Sequence, residues 1–210
     1  MKYCFDTEFQ EEVDKRGRGI LWLISLGIVC EDGRSSYWEC KGFDWTKAQA
    51  WQIENVKPYL TGQTTPRHLI AQQLVDFVGD DPEPEFWAYV DCYDWVALMQ
   101  LFGGLMNRPK QWPHSSKDIK ELMISAGLIW EDLPPQKGTL HRADHDALWN
   151  MKALKFIFRR INKKKDPVAE LLKEWQRELE KRLGYWRDPD EGTLLLMELV
   201  PQLAKALRKK

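Results

Sequence analysis

The chain has 210 residues, of which 43% are hydrophobic and 30% are charged, and its formal net charge at neutral pH is -1. This composition is typical of a soluble globular protein with one main domain, and it excludes a uniformly basic nucleic-acid binder. Any attraction of the chain to phosphate groups must therefore be local.

The sequence carries no signal for secretion or membrane insertion. It has no basic leader followed by an apolar run, and no apolar stretch approaches the roughly 20 residues that a membrane span needs. Its four cysteines, Cys4, Cys30, Cys40 and Cys92, show no metal-finger or C-x-x-C spacing. We therefore expect a cytoplasmic protein whose cysteines are reduced core residues.

The first part of the chain predicts three consecutive antiparallel strands. A short strand over residues 2–9 is followed by a polar run, residues 10–19, which breaks the apolar pattern and is predicted to be a hairpin loop. Apolar segments over residues 20–30 and 35–40 predict the second and third strands, because a turn-forming sequence over residues 31–34 separates them.

The next part predicts helices and one returning strand. Residues 45–60 indicate an irregular helix, and Thr65 followed by Pro66 predicts the N-cap and first position of a helix that runs to about Val78. Residues 85–90 are aromatic and follow a proline-rich break, which indicates a short strand that rejoins the sheet.

Three further helices are predicted after that strand. Asp91 is the expected N-cap of one, Ser116 of another that runs to Ala126, and a long helix begins at about Arg142. Strands that come first, followed by mixed strands and helices, indicate an α/β fold with a mixed sheet flanked by helices.

The last residues predict a separate helical extension. The basic run over residues 159–165 ends the long helix, and Asp166-Pro167 marks a break. Apolar residues at helical spacing over 168–183 and a second apolar stretch over 194–207 indicate a helical hairpin. We therefore divide the chain into a main domain, residues 1–165, and a helical C-terminal extension, residues 166–210.

Two carboxylates stand close together at the end of the first predicted strand. Asp6 and Glu8 are two residues apart, so in a strand both side chains would lie on the same face. Paired carboxylates are costly in a half-buried site unless cations neutralise them, and hard oxygen ligands suit Mg²⁺ or Mn²⁺. Taken alone, such a triplet is more often a solvated strand edge.

Two further carboxylates and a histidine occur where the predicted sheet meets helices. Asp94 lies in the helix that follows the fourth strand, and Asp146 lies near the start of the long helix. His141 precedes Asp146 in a His-x-Ala-x-x-Asp pattern, which places the histidine in the loop or first turn before the helix. A neutral imidazole at that position can accept a proton from an attacking water.

The ordered set Asp6-Thr7-Glu8, Asp94 and His141-x-Ala-x-x-Asp146 resembles the three motifs of the DEDDh family, the DnaQ-like 3′-5′ exonucleases. Arg142 occupies the position where the tyrosine variant of the family has its tyrosine, so the histidine variant is indicated. The segments 5–9, 86–90 and 93–98 are similar to the RNase AS branch, whose members degrade adenylate-rich RNA. The resemblance covers roughly residues 1–160.

The resemblance implies a ribonuclease-H-like fold and an enzyme that holds two divalent ions, Mg²⁺ or Mn²⁺. It implies that Asp6 bridges both ions, that Glu8 and Asp146 complete the shell of one, and that Asp94 holds the other through water or indirectly. His141 would activate the attacking water, and Phe9 would contact the terminal nucleotides of the substrate. The expected substrate is the 3′ end of single-stranded RNA, cleaved to nucleoside 5′-monophosphates, with adenylate preferred. The apolar sides of the helical extension would be covered either by the main domain or by a second copy of the chain, and the resemblance suggests a homodimer.

Other interpretations remain open from the sequence. Singly, Asp94 and Asp146 could stabilise helix starts, and His141 could be an exposed loop residue. The same carboxylates would serve a 3′-5′ DNA exonuclease, because only a contact to the 2′-hydroxyl group separates the two substrates. A non-catalytic nucleic-acid-binding module is disfavoured because all five motif positions are filled.

Structural or surface roles are expected for Asp91, Asp144 and His145, and core positions for Trp22, Trp87, Trp95 and Trp149.

Overall fold

A computed structural model describes residues 1–13, 16–17, 19–164, 174 and 177 of the chain. The chain divides into two compact units, Met1–Ile157 and Phe158–Lys210. The predicted boundary after residue 165 and the predicted helical extension over residues 166–210 lie outside the described residues, apart from positions 174 and 177. The sheet and the motif residues all belong to the first unit.

A mixed six-stranded sheet forms the centre of the first unit. The strands are β1 Lys2–Val13, β2 Gly19–Cys30, β3 Ser35–Cys40, β4 Thr64–Thr65, β5 Glu85–Ala88 and β6 Lys117–Asp118. Their order in the sheet is β4-β3-β2-β1-β5-β6. The β1/β2 and β2/β3 pairs are antiparallel, whereas β1/β5, β3/β4 and β5/β6 are parallel.

Five α-helices accompany the sheet in the part of the chain that the structure describes: α1 Ala50–Asn55, α2 Arg67–Val78, α3 Cys92–Gln100, α4 Ile119–Ser125 and α5 Ala143–Lys164. Short 3-10 turns occur at Trp45–Lys47, Lys57–Tyr59, Leu105–Asn107 and Trp130–Asp132. The predicted α/β fold of the ribonuclease-H-like type, a mixed sheet flanked by helices, is confirmed. Within the described ranges, no helix is both long and apolar enough to cross a membrane.

Aromatic packing fixes β1 in the middle of the core. Tyr3 and Phe5 are fully buried, and their ring centroids lie 5.6 and 6.2 Å from that of Phe86 on β5. Trp95 of α3 packs on both Phe5 and Phe86, at 6.2 and 5.5 Å. Fully burying side chains of this size contributes about 1.5–3 kcal/mol each. The strand that carries Asp6 and Glu8 is therefore held rigidly between its neighbours.

The predicted hairpin loop over residues 10–19 is wrong, because β1 continues to Val13, which pairs with Gly19. A strand ladder uses backbone groups, so polar side chains do not end it when they find partners. Gln10 is buried and accepts a hydrogen bond from the Gln49 backbone N–H at 2.8 Å, while its amide donates to the Lys47 carbonyl at 3.2 Å.

Two predicted helix caps are also wrong. Helix α2 begins at Arg67 with Pro66 at the N-cap, because Thr65 belongs to β4. Helix α4 is capped by Asp118, whose Oδ1 accepts from the backbone N–H groups of Lys120 and Glu121 at 2.6 and 3.2 Å. Ser116 instead donates its hydroxyl hydrogen to Asp91. Asp91 stands at the predicted N-cap of α3 but makes no side-chain capping bond there.

Two residues predicted to lie in the core are exposed. Trp22 is 39% exposed and donates its Nε1–H to Glu12 at 2.7 Å; it lies in the first four residues of β2, which are exposed or half-buried. Cys92 is exposed at the start of α3, whereas Cys4, Cys30 and Cys40 are buried in strands. The predicted burial of Trp87, Trp95 and Trp149 is confirmed.

Candidate active site

Strand β1 presents two carboxylates to the start of α5. Asp6 lies opposite Gly27 and Glu8 lies opposite Ser25 in the antiparallel register with β2. One oxygen from each of Asp6, Glu8 and Asp146 can be chosen so that all three lie within 4.8 Å of one another. The structure thus brings together a strand pair and a helix residue that are far apart in sequence.

Gly27 allows α5 to approach the sheet at this point. A Cβ atom on Gly27 would lie 2.2 Å from the backbone oxygen of Ala143, the first residue of α5. No side chain fits there, because the obstacle is backbone that cannot rotate away. The first turn of α5 therefore rests directly on β2 beside Asp6, and this contact places Asp146 next to the strand carboxylates.

A buried amide holds the next turn of the same helix. Asn150 is buried and donates from Nδ2 to the backbone carbonyl of Phe5 at 3.0 Å. Phe5 directly precedes Asp6, so this bond ties α5 to β1 one turn beyond Asp146. Together with the Gly27 contact, it fixes α5 at two successive turns.

Asp94 is held by the residue between the two strand carboxylates. Its Oδ1 accepts from the backbone N–H and from the hydroxyl of Thr7, at 2.8 and 2.6 Å. Asp94 lines the same cleft as the other three carboxylates, but it is not part of the close cluster of three. The expectation that Asp94 holds an ion through water or indirectly stays a prediction.

His141 stands beside the cluster in an unusual backbone conformation. Its φ is 59°, which few residues other than glycine adopt, and its Nδ1 lies 4.0 Å from Oε1 of Glu8. The Trp51 ring of α1 contacts the imidazole edge to face, with ring centroids 4.8 Å apart. Strained residues that persist at a cleft are typical of functional positions.

The cleft around these residues has a volume of about 300 Å³. It is lined by Asp6, Thr7, Glu8, Phe9, Tyr89, Asp94, Trp130, Gln136, Leu140, His141, Asp146, Trp149 and Asn150. Phe9 follows a register shift in β1 and stacks on Tyr93 of α3, with ring centroids 5.6 Å apart. The predicted substrate contact Phe9 thus borders the cleft, and its role stays a prediction.

Burial and mutual repulsion shape the titration of the four carboxyl groups. Burial, followed by the charges of Asp94, Glu8 and Asp146, raises the pKa of Asp6 well above its usual range. Burial and the charges of Asp146 and Asp94 raise the pKa of Glu8 to about 8. Burial also raises the pKa of Asp94 and of Asp146 to about 6, although hydrogen bonds from Thr7 and Gln136, respectively, oppose the rise.

This arrangement fits a divalent cation. Among the residues that the structure describes, no lysine or arginine forms an ion pair with any of the four carboxylates. A cation close to several carboxylates lowers their pKa values and removes their repulsion, and carboxylate oxygens are the ligands that Mg²⁺ and Mn²⁺ prefer. Asp6, Glu8 and Asp146 are the residues that could hold it.

Three acidic or basic neighbours of the motif residues have structural partners. Asp144 accepts from Arg142 at 2.8 Å, and Asp91 accepts from Ser116. His145 accepts from the Thr139 backbone N–H at 3.0 Å, so it anchors the loop that leads to His141. None of the three lines the cleft.

Several positioning residues were not identified from the sequence. Gly27 is an isolated glycine in an apolar strand, a signal that could have indicated close backbone approach. Gln136 donates a hydrogen bond from its amide to Asp146, and Thr7 donates to Asp94. Asn150 donates to the Phe5 carbonyl, and Trp51 contacts His141. These four carry no pattern that separates them from ordinary polar or aromatic residues, since their partners lie 10 or more residues away in sequence.

We expect Gly27→Ala to destabilise the protein and to displace Asp146. Overpacking of this kind costs about 1–3 kcal/mol, which lowers the melting temperature by several degrees in a chain of this size. Gly19→Ala is the matched control, because it lies on the same strand with open space around the added Cβ. Equal melting temperatures for the two variants, or an unmoved Asp146 in a crystal structure of Gly27→Ala, would contradict the close-contact argument.

Comparison with known proteins identifies relatives that match most of the chain. No family model matches the chain. Two curated proteins from two strains of Mycobacterium tuberculosis, each named as a 3′-5′ exoribonuclease, are 33% identical to the chain over 168 residues. The match covers 75% of this chain and 93% of each relative. On this similarity, the chain belongs to the family of these 3′-5′ exoribonucleases.

Proposed function

We propose that the protein is a metal-dependent 3′-5′ exoribonuclease of the DEDDh type, which releases nucleoside 5′-monophosphates from single-stranded RNA. The observation that carries the proposal is the cluster of Asp6, Glu8 and Asp146, with His141 4.0 Å from Glu8. The names of the two relatives support both the class of substrate and the direction of cleavage.

The reaction is hydrolysis of the last phosphodiester bond. Water forms the new bond to phosphorus, the bond to the 3′-oxygen of the preceding nucleotide breaks, and that oxygen leaves with a proton. When bound, Mg²⁺ or Mn²⁺ ions would neutralise the carboxylates and stabilise the charge that develops on the phosphoryl oxygens. Asp6, Glu8 and Asp146 would hold the ions. Asp94, which accepts two hydrogen bonds from Thr7, would act on the ions indirectly.

His141 is the residue we assign to proton transfer. Its imidazole borders the cleft and is partly exposed, so water in the cleft can reach a ring nitrogen. The contacts with Trp51 and Glu8 restrict the ring on two sides. A base held in this way accepts the proton of the attacking water without first having to change its orientation.

The proposal is tested with matched RNA and DNA oligomers of one sequence, labelled at the 5′ end and incubated with Mg²⁺. We expect a ladder of RNA products that shortens from the 3′ end, with 5′-monophosphates released and oligoadenylate degraded fastest. Equal or faster cleavage of DNA would move the assignment to a DNA exonuclease. Internal cleavage, or cleavage that begins at the 5′ end, would contradict the proposal itself.

Trp51 is expected to position His141 for this reaction. Helix α1 is attached to β1, because Gln52 donates to the Phe9 carbonyl at 3.2 Å and Gln49 donates its side-chain amide to the Glu11 carbonyl at 3.1 Å. These bonds attach α1 to the strand that carries Asp6 and Glu8, so the Trp51 ring is held against His141.

We expect Trp51→Ala to lower kcat by about tenfold or more with little change in KM, and Trp51→Phe to retain most of the activity. The decisive comparison is the double variant with His141→Ala, which should be no slower than His141→Ala alone. Additive losses, or a loss confined to KM, would show that Trp51 acts on the substrate and not through the histidine.

A further inference from the structure

Three aromatic side chains form one wall of the cleft. The ring centroid of Trp130 lies 5.2 Å from that of Tyr89 and 4.9 Å from that of Trp149, and Tyr89 lies 5.5 Å from Trp149. All three line the same cleft as the carboxylates. We call Tyr89, Trp130 and Trp149 the aromatic wall.

The aromatic wall is attached to the elements that carry the carboxylates. Trp149 lies on α5, three residues after Asp146, and donates its Nε1–H to the Pro134 carbonyl at 2.8 Å. Tyr89 directly follows β5, the parallel neighbour of β1. The wall and the carboxylates are therefore held in a constant arrangement.

The backbone next to Tyr89 is strained. Val90 has a φ of 59°, and a β-branched residue rarely adopts this left-handed conformation. His141 and Val90 are the two residues other than glycine with positive φ within the described part of the chain, and both lie at or next to the cleft. Strained backbone residues cluster at functional sites, which indicates that the side chains they orient, here Tyr89 and His141, have a function.

The members of the wall differ in exposure. Trp149 is 4% exposed and is a packing residue, whereas Trp130 is 47% exposed although it lines the cleft. The open surface of Trp130 beside the carboxylates is therefore available to a ligand in the cleft.

The chemistry of the cleft selects the part of an RNA that could bind there. The described residues that line it include four carboxylates and no lysine or arginine. The lining offers phosphate groups no protein cation, so apart from bound divalent ions the contacts that the protein can make to RNA here are to neutral groups. Nucleobases stack on aromatic rings irrespective of sequence, and purines offer the larger stacking area.

We propose that Trp130 and Tyr89 form a stacking site for a nucleobase at the 3′ end of the RNA, distinct from the predicted contact at Phe9. This proposal rests on the exoribonuclease function proposed above. It makes the wall a binding element for the terminal base. The residues of the wall hold the base, and the carboxylates and His141 act on the phosphodiester.

The test measures binding, so that it does not depend on hydrolysis. In the Asp6→Asn background with Mg²⁺, fluorescence anisotropy follows a labelled oligoadenylate and the same oligomer with abasic residues at its 3′-terminal positions. We expect Trp130→Ala to weaken binding of oligoadenylate by about 5- to 150-fold and to leave binding of the abasic oligomer unchanged. Trp130→Phe should retain most of the affinity. Trp22→Ala is the matched control, because Trp22 is exposed but does not line the cleft.

Each other outcome has a defined meaning. Unchanged affinity in Trp130→Ala, or an equal loss with both oligomers, would overturn the stacking site. A shift of mass in light scattering without a loss of RNA binding would assign Trp130 to a contact between copies of the chain, and would also overturn it. If Trp130→Ala fails to fold, equal affinity of the Asp6→Asn protein for both oligomers would suffice to reject the proposal. Absence of RNA cleavage by the unaltered protein, with the base-dependent binding intact, would reject only the proposed function.

Discussion

Replacing Asp6 with asparagine should lower the rate of RNA hydrolysis by about three orders of magnitude or more, while the protein stays folded. Asp6 shares the cluster with Glu8 and Asp146, and the charges of the other three carboxylates act on it. The substitution keeps the size of the side chain and removes only a negative charge. Initial rates on oligoadenylate at saturating Mg²⁺ measure the effect.

The same variant should be more stable than the unaltered protein when metal is removed. Carboxyl groups whose pKa is raised by folding stabilise the native state at low pH, and this contribution is lost as pH rises through the folded pKa. For Asp94 and Asp146 that loss runs from the usual pKa of 3.8 up to about 6, and for Glu8 from 4.5 up to about 8. We therefore expect the metal-free protein to melt at a higher temperature at pH 5 than at pH 8, and Asp6→Asn to reduce this difference. A lower melting temperature for Asp6→Asn would show that Asp6 has a structural role.

Replacing His141 with alanine should slow turnover by about 10²- to 10⁴-fold, the usual contribution of a positioned general base. The imidazole is the group beside Glu8 that we assign to proton transfer, and its loss leaves the carboxylate cluster in place. The defect should appear in kcat, because His141 is not among the residues expected to hold the ions. Steady-state rates at saturating substrate and metal measure it.

Two other histidines provide matched comparisons. His114→Ala should leave turnover unchanged, since His114 is exposed and does not line the cleft. His145→Ala should cost less than about tenfold, because His145 anchors the loop before His141 and does not line the cleft. An unaffected His141→Ala enzyme, or a His145→Ala enzyme with the larger loss, would mean that the proton-transfer residue has been misassigned.

The strands of the sheet and the elements that carry the carboxylates could be predicted because they depend on local patterns. Alternation in β1 places Asp6 and Glu8 on one face, and the helix start after His141 places Asp146 within the first turn of α5. That Asp146 lies beside the two strand carboxylates was implied by the resemblance to the DEDDh motifs, because the strand and the helix are far apart in sequence.

The features that could not be predicted depend on contacts between distant segments. The length of the β1–β2 hairpin was underestimated because Gln10 finds its partners in the Lys47–Gln49 region. Ser116 was predicted as a cap, but Asp118 satisfies the α4 backbone groups and leaves the Ser116 hydroxyl to Asp91. The need for glycine at position 27 arises only when α5 rests on β2.

The central claim is that a carboxylate site that holds divalent cations removes nucleotides from the 3′ end of RNA. Its most direct test uses protein freed of metal with a chelator, incubated with 5′-labelled oligoadenylate before and after addition of excess Mn²⁺ or Mg²⁺. We predict no cleavage in the chelator, and after addition of metal a ladder that shortens from the 3′ end with release of 5′-monophosphates. Full activity in the chelator, or no 3′-end cleavage after addition of either metal, would contradict the claim.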